Sequence, residues 1–275
     1  MAEKPNLPKY IFDWKGVAAF IGGYFFSSLI IAGISVVSLF LFHKNLQYSD
    51  VWLVIGNAVV FSTIIFAFDY FVCRPSTGKK LNFNFSTTNF YTYLLIFPMM
   101  LGMMFISEFL SNLLPTSGLF WGKMYKWFSE MMNMISQDFL TMLLMTVIFA
   151  PIFEEIIFRG IIQKGMINGG MNPKKAIWIS AVIFGLVHGN PWQFVGAVLL
   201  GFVLGTVYER TKSLLLPMLL HGFNNLCSTL LITFTKKENF AHAFNLPEWF
   251  LLIIGIVIFG TFYFLFTKKY RVHYS

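Results

Sequence analysis

The 275-residue sequence is poor in charge, with only 12% Asp, Glu, Lys and Arg, about half the usual fraction of a soluble domain. It has two cysteines, Cys73 and Cys227, in no metal-type spacing, which excludes a disulfide scaffold and a cysteine-based metal fold. Its net charge is +8, but the Lys and Arg residues are scattered in ones, twos and threes. Without a clustered basic stripe there is no nucleic-acid face. No internal repeat or low-complexity linker stands out. What the sequence has in abundance is apolar surface: 57% hydrophobic residues, 19% aromatic, and a mean hydropathy of +0.68. These values make the bilayer the relevant solvent, and a single integral membrane domain over 1–275 is the expectation.

Apolar stretches long enough to cross roughly 30 Å of hydrocarbon predict an all-α, polytopic protein of about eight transmembrane helices. They fall near 17–42, 50–72, 90–114, 139–165, 174–189, 192–210, 213–234 and 248–267. The fifth and sixth are short and separated only by Gly189, Asn190 and Pro191. The first run follows Lys4, Lys9 and Lys15 and ends in no small-residue cleavage signature, so it reads as a retained span. With the N-terminus cytoplasmic, fourteen basic residues fall on the inner side. They include Arg74, Lys79, Lys80, Lys174, Lys175, Lys268, Lys269 and Arg271, against Lys44, Lys123, Lys126, Lys236 and Lys237 outside. That bias places both termini in the cytoplasm and makes the chain a multi-pass membrane protein. Segment 118–134 mixes Trp121, Lys123, Lys126 and Trp127 with Met and Phe. It suits either the headgroup plane, as a gate for a substrate tail, or an ordinary extramembrane loop.

Ionisable residues inside spans carry the functional information, because each costs roughly 2.5 kcal/mol or more at the membrane centre and needs a partner or a purpose. The fourth span holds Glu154, Glu155 and Arg159, the fifth His188, and the seventh His221 with Asn224 and Asn225. Asp69 and Glu108 stand alone near span ends and read as interfacially solvated. Adjacent helical residues point about 100° apart, so Glu154 and Glu155 are expected not to face one partner. Glu155 and Arg159 are four apart in the favourable order for an ion pair, leaving Glu154 for chemistry as a general base. His221 and Asn225, also four apart, share a helix face. Counted from the cytoplasmic ends at the helical rise, Glu154, His188, His221 and Asn225 lie about 12–21 Å deep and can meet.

A carboxylate, two imidazoles and a carboxamide in a dry cavity suit hydrolysis by activated water. Glu154 with His188 would hold and deprotonate the water, and His221 with Asn225 would stabilise a tetrahedral oxyanion. The sequence has no HExxH, GxGD or GxSG segment, the signatures of zinc, aspartyl and serine intramembrane proteases. Pro151, just before the glutamates, either loosens the helix to admit water or is a packing kink.

The segments EEIIFRG at 154–160, FGLVHGN at 184–190 and HGFNN at 221–225 resemble the EExxxR, FxxxH and HxxxN motifs of the CPBP family. These are the CAAX proteases and bacteriocin-processing enzymes, the Abi or Rce1-type intramembrane glutamic endopeptidases. The likeness covers a catalytic core of about 139–234. It implies water activation by Glu154 and His188, an oxyanion hole from His221 and Asn225, and supporting roles for Glu155 and Arg159. The expectation that follows is a metal-independent endopeptidase with no cofactor. The substrate it implies is a membrane-embedded or lipidated peptide, such as a CaaX-type tail or a bacterial leader or signalling peptide. The same residues leave open a metal-dependent membrane hydrolase and a non-enzymatic immunity or signalling scaffold held together by its polar cluster. Cys73 is expected to be a free thiol.

Overall fold

The computed structural model describes residues 8–43, 46, 49–135, 138–237 and 239–271; Lys4 and Lys44 of the charge-bias argument lie outside them. Among the described residues the chain is helical and contains no strand. In chain order the helices are α1 Trp14–Phe42, α2 Asp50–Thr77, α3 Phe90–Asn112, α4 Trp121–Ile135 and α5 Phe139–Asn168. They continue as α6 Pro173–Leu186, α7 Pro191–Thr211, α8 Leu215–Thr235, α9 Phe240–Phe244 and α10 Glu248–Lys269. Short polar side chains start them: Asp13, Ser49, Asn89, Asp138, Asn190 and Asn239 each accept a first-turn N–H. This satisfies donors that the helices themselves cannot.

Among the described residues seven helices, α1, α2, α3, α5, α7, α8 and α10, are long and apolar enough to cross a membrane, and the chain is an integral, multi-pass membrane protein. The sequence predicts about eight, and the difference is α6. Its 14 residues span about 21 Å at the helical rise, short of the roughly 30 Å of a hydrocarbon core. An even number of crossings, and with it both termini on one side, requires α6 to cross.

The chain divides into two compact units. The first comprises residues up to Phe83 together with Ile156–Ala176. In it α1 and α2 pack closely: a Cβ on Gly23 would lie 3.0 Å from the Ile64 Cα and 3.1 Å from the Thr63 carbonyl oxygen. Tyr10, Phe68, Val72, Cys73 and Ile161 form its buried core, with Phe12 and Phe20 against it. The Tyr10 hydroxyl donates to the Gly160 carbonyl, and the Asn168 amide donates to the Tyr10 carbonyl. Asp69 is anchored here rather than solvated as the sequence suggests. Its Oδ2 receives the Arg74 guanidinium at 2.6 Å and its Oδ1 the Leu81 N–H at 2.6 Å.

The second unit comprises Asn84–Glu155 and Ile177–Ser275. Its core is built from Leu95, Ile96, Met99, Met100, Met103 and Met104 of α3, Val203, Leu204 and Val207 of α7, Leu216 and Leu220 of α8, and Phe266 of α10. Glycine lets α3 and α10 touch backbone to backbone. A Cβ on Gly102 would sit 2.5 Å from the Phe259 nitrogen, and one on Gly255 2.8 Å from the Gly102 oxygen. Glu108, also expected to be solvated, instead accepts the N–H groups of Phe240 and Ala241 at 2.7 and 3.0 Å, capping the short helix α9. The partners of Glu108 lie 132 and 133 residues away, whereas Asp69 is held by Arg74 five residues on in the same helix and by the Leu81 N–H in the loop that follows.

Candidate active site

Helix α5 is not a uniform α-helix. It runs as α over Phe139–Met142, as π over Leu143–Phe149, as α over Ala150–Glu155, and as π again over Ile156–Gln163. Wide π turns inside α-helices concentrate at functional sites because they release backbone groups and re-aim side chains. The two glutamates therefore occupy the last turn of a short α segment framed by two π segments.

Both glutamates point at one imidazole, which corrects the expectation that neighbours on a helix cannot share a partner. His221 Nδ1 is 2.9 Å from Glu155 Oε1, and His221 Nε2 is 3.8 Å from Glu154 Oε2. The azimuthal argument is right for Cβ atoms but neglects two things. A glutamate chain has three torsions with which to swing, and an imidazole offers nitrogens at two separate corners of its ring. The environments of the acids differ: Glu155 has no exposed side-chain surface, whereas Glu154 keeps 18%. The Nδ1–Glu155 bond fixes the ring plane and leaves Nε2 directed to Glu154.

Arg159 is fully buried and belongs to the first unit, while Glu154, Glu155, His188, His221 and Asn225 all belong to the second.

His188 lies not within a span but in the turn after α6. Its Nδ1 is 2.7 Å from the Phe184 carbonyl, so Nδ1–H donates and a neutral ring carries its lone pair on Nε2. The Phe184 ring stands edge-on to His188 at 5.0 Å and to His221 at 5.6 Å between centroids. The same aromatic side chain thus positions both imidazoles. Asn190 caps α7 through the Gln193 N–H while its amide donates to the His188 carbonyl at 3.0 Å.

Asn225, one turn beyond His221 on α8, donates from Nδ2 to the Thr146 carbonyl at 2.7 Å and accepts from Asn224 Nδ2 at 2.9 Å. The two helices meet here through Gly222, where a Cβ would be 3.1 Å from the Val147 oxygen. Direct contacts thus join Glu154, Glu155 and His221. Asn225 follows on the same helix, and His188 joins them through Phe184. Sequence reasoning missed the Thr146 carbonyl and the Phe184 ring. A Pro151 with no N–H to offer a carbonyl upstream, and a Phe four residues before His188, were the available signals. Among the described residues no group of three or more His, Cys, Asp or Glu is arranged to hold a metal ion. Cys73 and Cys227 are free thiols.

Residues 136–227 match the family model described as type II CAAX prenyl endopeptidase Rce1-like, so the polar helices lie in an Rce1-like segment. That third of the chain contains every residue of the cluster. The match supports an intramembrane endopeptidase in general. No curated protein and no solved structure matches the chain significantly.

Proposed function

We propose that the protein is a glutamic-type intramembrane endopeptidase in which Glu154 is the general base. Glu154 takes a proton from a water as the oxygen attacks the scissile carbonyl carbon, then returns a proton to the departing amine. His188 presents the Nε2 lone pair that its Phe184 bond leaves unprotonated, and holds the same water. His221 and Asn225 donate to the oxyanion, His221 from the Nε2 side of a ring that Glu155 holds at Nδ1. Glu155 is the orienting acid and Arg159 a supporting cation within the core of about 139–234. No metal takes part.

The observation that carries this reading is the inequality of two adjacent acids on one imidazole. The fully buried acid is hydrogen-bonded to the ring, and the partly exposed one lies 3.8 Å from its second nitrogen. Exposed surface belongs to Glu154 and not to Glu155, which separates a base from an orienting group. The substrate that fits the family description is a lipidated carboxyl-terminal tail of the CaaX type, and a bacterial leader or signalling peptide presents the same extended backbone.

The test is cleavage of a membrane-delivered peptide by purified Glu154→Gln and Glu154→Ala proteins. A loss of about 10²–10⁴-fold at unchanged thermal stability is expected, and undiminished cleavage refutes the assignment. Metal analysis accompanies it. Full turnover in chelator fits the reading, and stoichiometric metal whose removal abolishes turnover replaces it with a metal-dependent hydrolase.

A further inference from the structure

Pro151 has no N–H to give the backbone of α5, and the carbonyl five residues before it, that of Thr146, is the one Asn225 uses. The π segment Leu143–Phe149 closes with the Ala150 N–H bonded to the Met145 carbonyl, five residues back. The next residue in that register is Pro151, which would serve Thr146. Proline has no N–H. A carbonyl within a membrane span that lacks its helical donor is satisfied by a donor from elsewhere in the protein. The donor is Asn225 Nδ2, at 2.7 Å from the Thr146 oxygen.

The approach of α8 makes this possible. Gly222 lies against the same turn, with its absent Cβ 3.1 Å from the Val147 oxygen and 3.9 Å from the Pro151 ring. The other end of the amide is also held, since Asn225 Oδ1 accepts from Asn224. Held at both ends, the planar carboxamide has one N–H left, and its direction is set by the other two bonds.

We propose that Pro151 is a positioning residue: by withholding its N–H it reserves the Thr146 carbonyl for Asn225, and so aims the remaining Asn225 N–H. The inference rests on the reading of Asn225 as an oxyanion donor for its kinetic consequence, but not for the bond itself. It gives Pro151 a third role beside the two that the sequence left open. The proline acts as a device for freeing a specific acceptor rather than as a general loosening of the helix.

A thermal double-mutant cycle on the full-length protein in detergent or lipid tests the bond without reference to activity. Asn225→Ala strands the Thr146 carbonyl and is expected to lower Tm by about 2–4 °C. In a Pro151→Ala background the new Ala N–H serves that carbonyl, so the same Asn225→Ala change is expected to move Tm far less. Equal shifts in the two backgrounds overturn the proposal. Pro151→Ser restores the same N–H and repeats the cycle if Pro151→Ala expresses poorly.

In the cleavage assay Pro151→Ala alone is expected to lower kcat by about 10–10³-fold with KM unchanged. A protein that is merely loosened would instead lose thermal stability and shift KM. Wild-type kcat in Pro151→Ala overturns the positioning role. If Asn225→Ala itself cleaves at the wild-type rate, the oxyanion reading falls and the kinetic half of the proposal with it, while the thermal cycle still reads the Thr146 bond.

Discussion

Asp69 in the first unit and the Glu154–Glu155 pair in the second are acids of similar intrinsic cost in a membrane, and the protein treats them in opposite ways. Asp69 has both oxygens engaged by partners from its own neighbourhood, a guanidinium on one and a backbone N–H on the other. Glu108 is used the same way at the start of α9. The paired glutamates are instead directed at a titratable ring, one of them with part of its surface accessible. An acid with both oxygens occupied by permanent donors is an anchor, because moving a proton onto it would break two bonds. An acid that faces an imidazole and retains access to water can exchange a proton at little structural cost.

The sharpest way to break this contrast is to neutralise each acid in turn. Glu154→Gln is expected to give the largest effect, the loss in cleavage described above, with Tm unchanged. An equal loss of Tm and activity would place Glu154 among the anchors. Glu155→Gln should show a mixed result. The buried Nδ1 bond weakens, stability falls by about 1–3 kcal/mol, and turnover falls because the ring is less firmly held. Thermal unfolding measured alongside cleavage separates the two losses, and a purely kinetic change would move Glu155 into the same class as Glu154.

Asp69→Asn is expected to cost about 1–3 kcal/mol, since it sets an amide against the Arg74 donors. Folded Asp69→Asn protein should cleave with wild-type kcat, and a selective loss of kcat would end the division between anchors and site. The smallest effect concerns Asp138, which caps α5 outside the span. The Thr141 hydroxyl and N–H hold its carboxyl below the usual range. The folded form binds this proton more weakly than the unfolded chain, so the cap stabilises above the ordinary carboxylate range and is lost as pH falls through the lowered value. A slight drop in Tm on acidification over that window, absent in Asp138→Ala, is the expected result.

Much of the helical fold was legible because hydrocarbon length and apolar runs are one-dimensional quantities. Seven of the expected spans correspond to helices long enough to cross, and the eighth, α6, forms as a shorter helix and was already the shortest stretch. The segment later matched to the Rce1-like family was legible from EEIIFRG, FGLVHGN and HGFNN, since each motif is contiguous. The π turns of α5 were not legible. They depend on which carbonyls neighbouring helices can satisfy, and local propensity says nothing about that.

Sequence alone determined that the chain lives in a bilayer, that it is helical, and which few polar residues had to be accounted for. Each follows from the cost of placing a given side chain or a stretch of backbone in hydrocarbon. Only the tertiary structure decided how those residues are shared out. It gave Asp69 and Glu108 to the scaffold, set both motif glutamates on His221, and delivered Asn225 to the carbonyl that Pro151 leaves open. The reason is that a partner is chosen by distance between helices, and that distance is fixed by packing, through contacts such as those at Gly222 and Gly102, rather than by spacing along the chain.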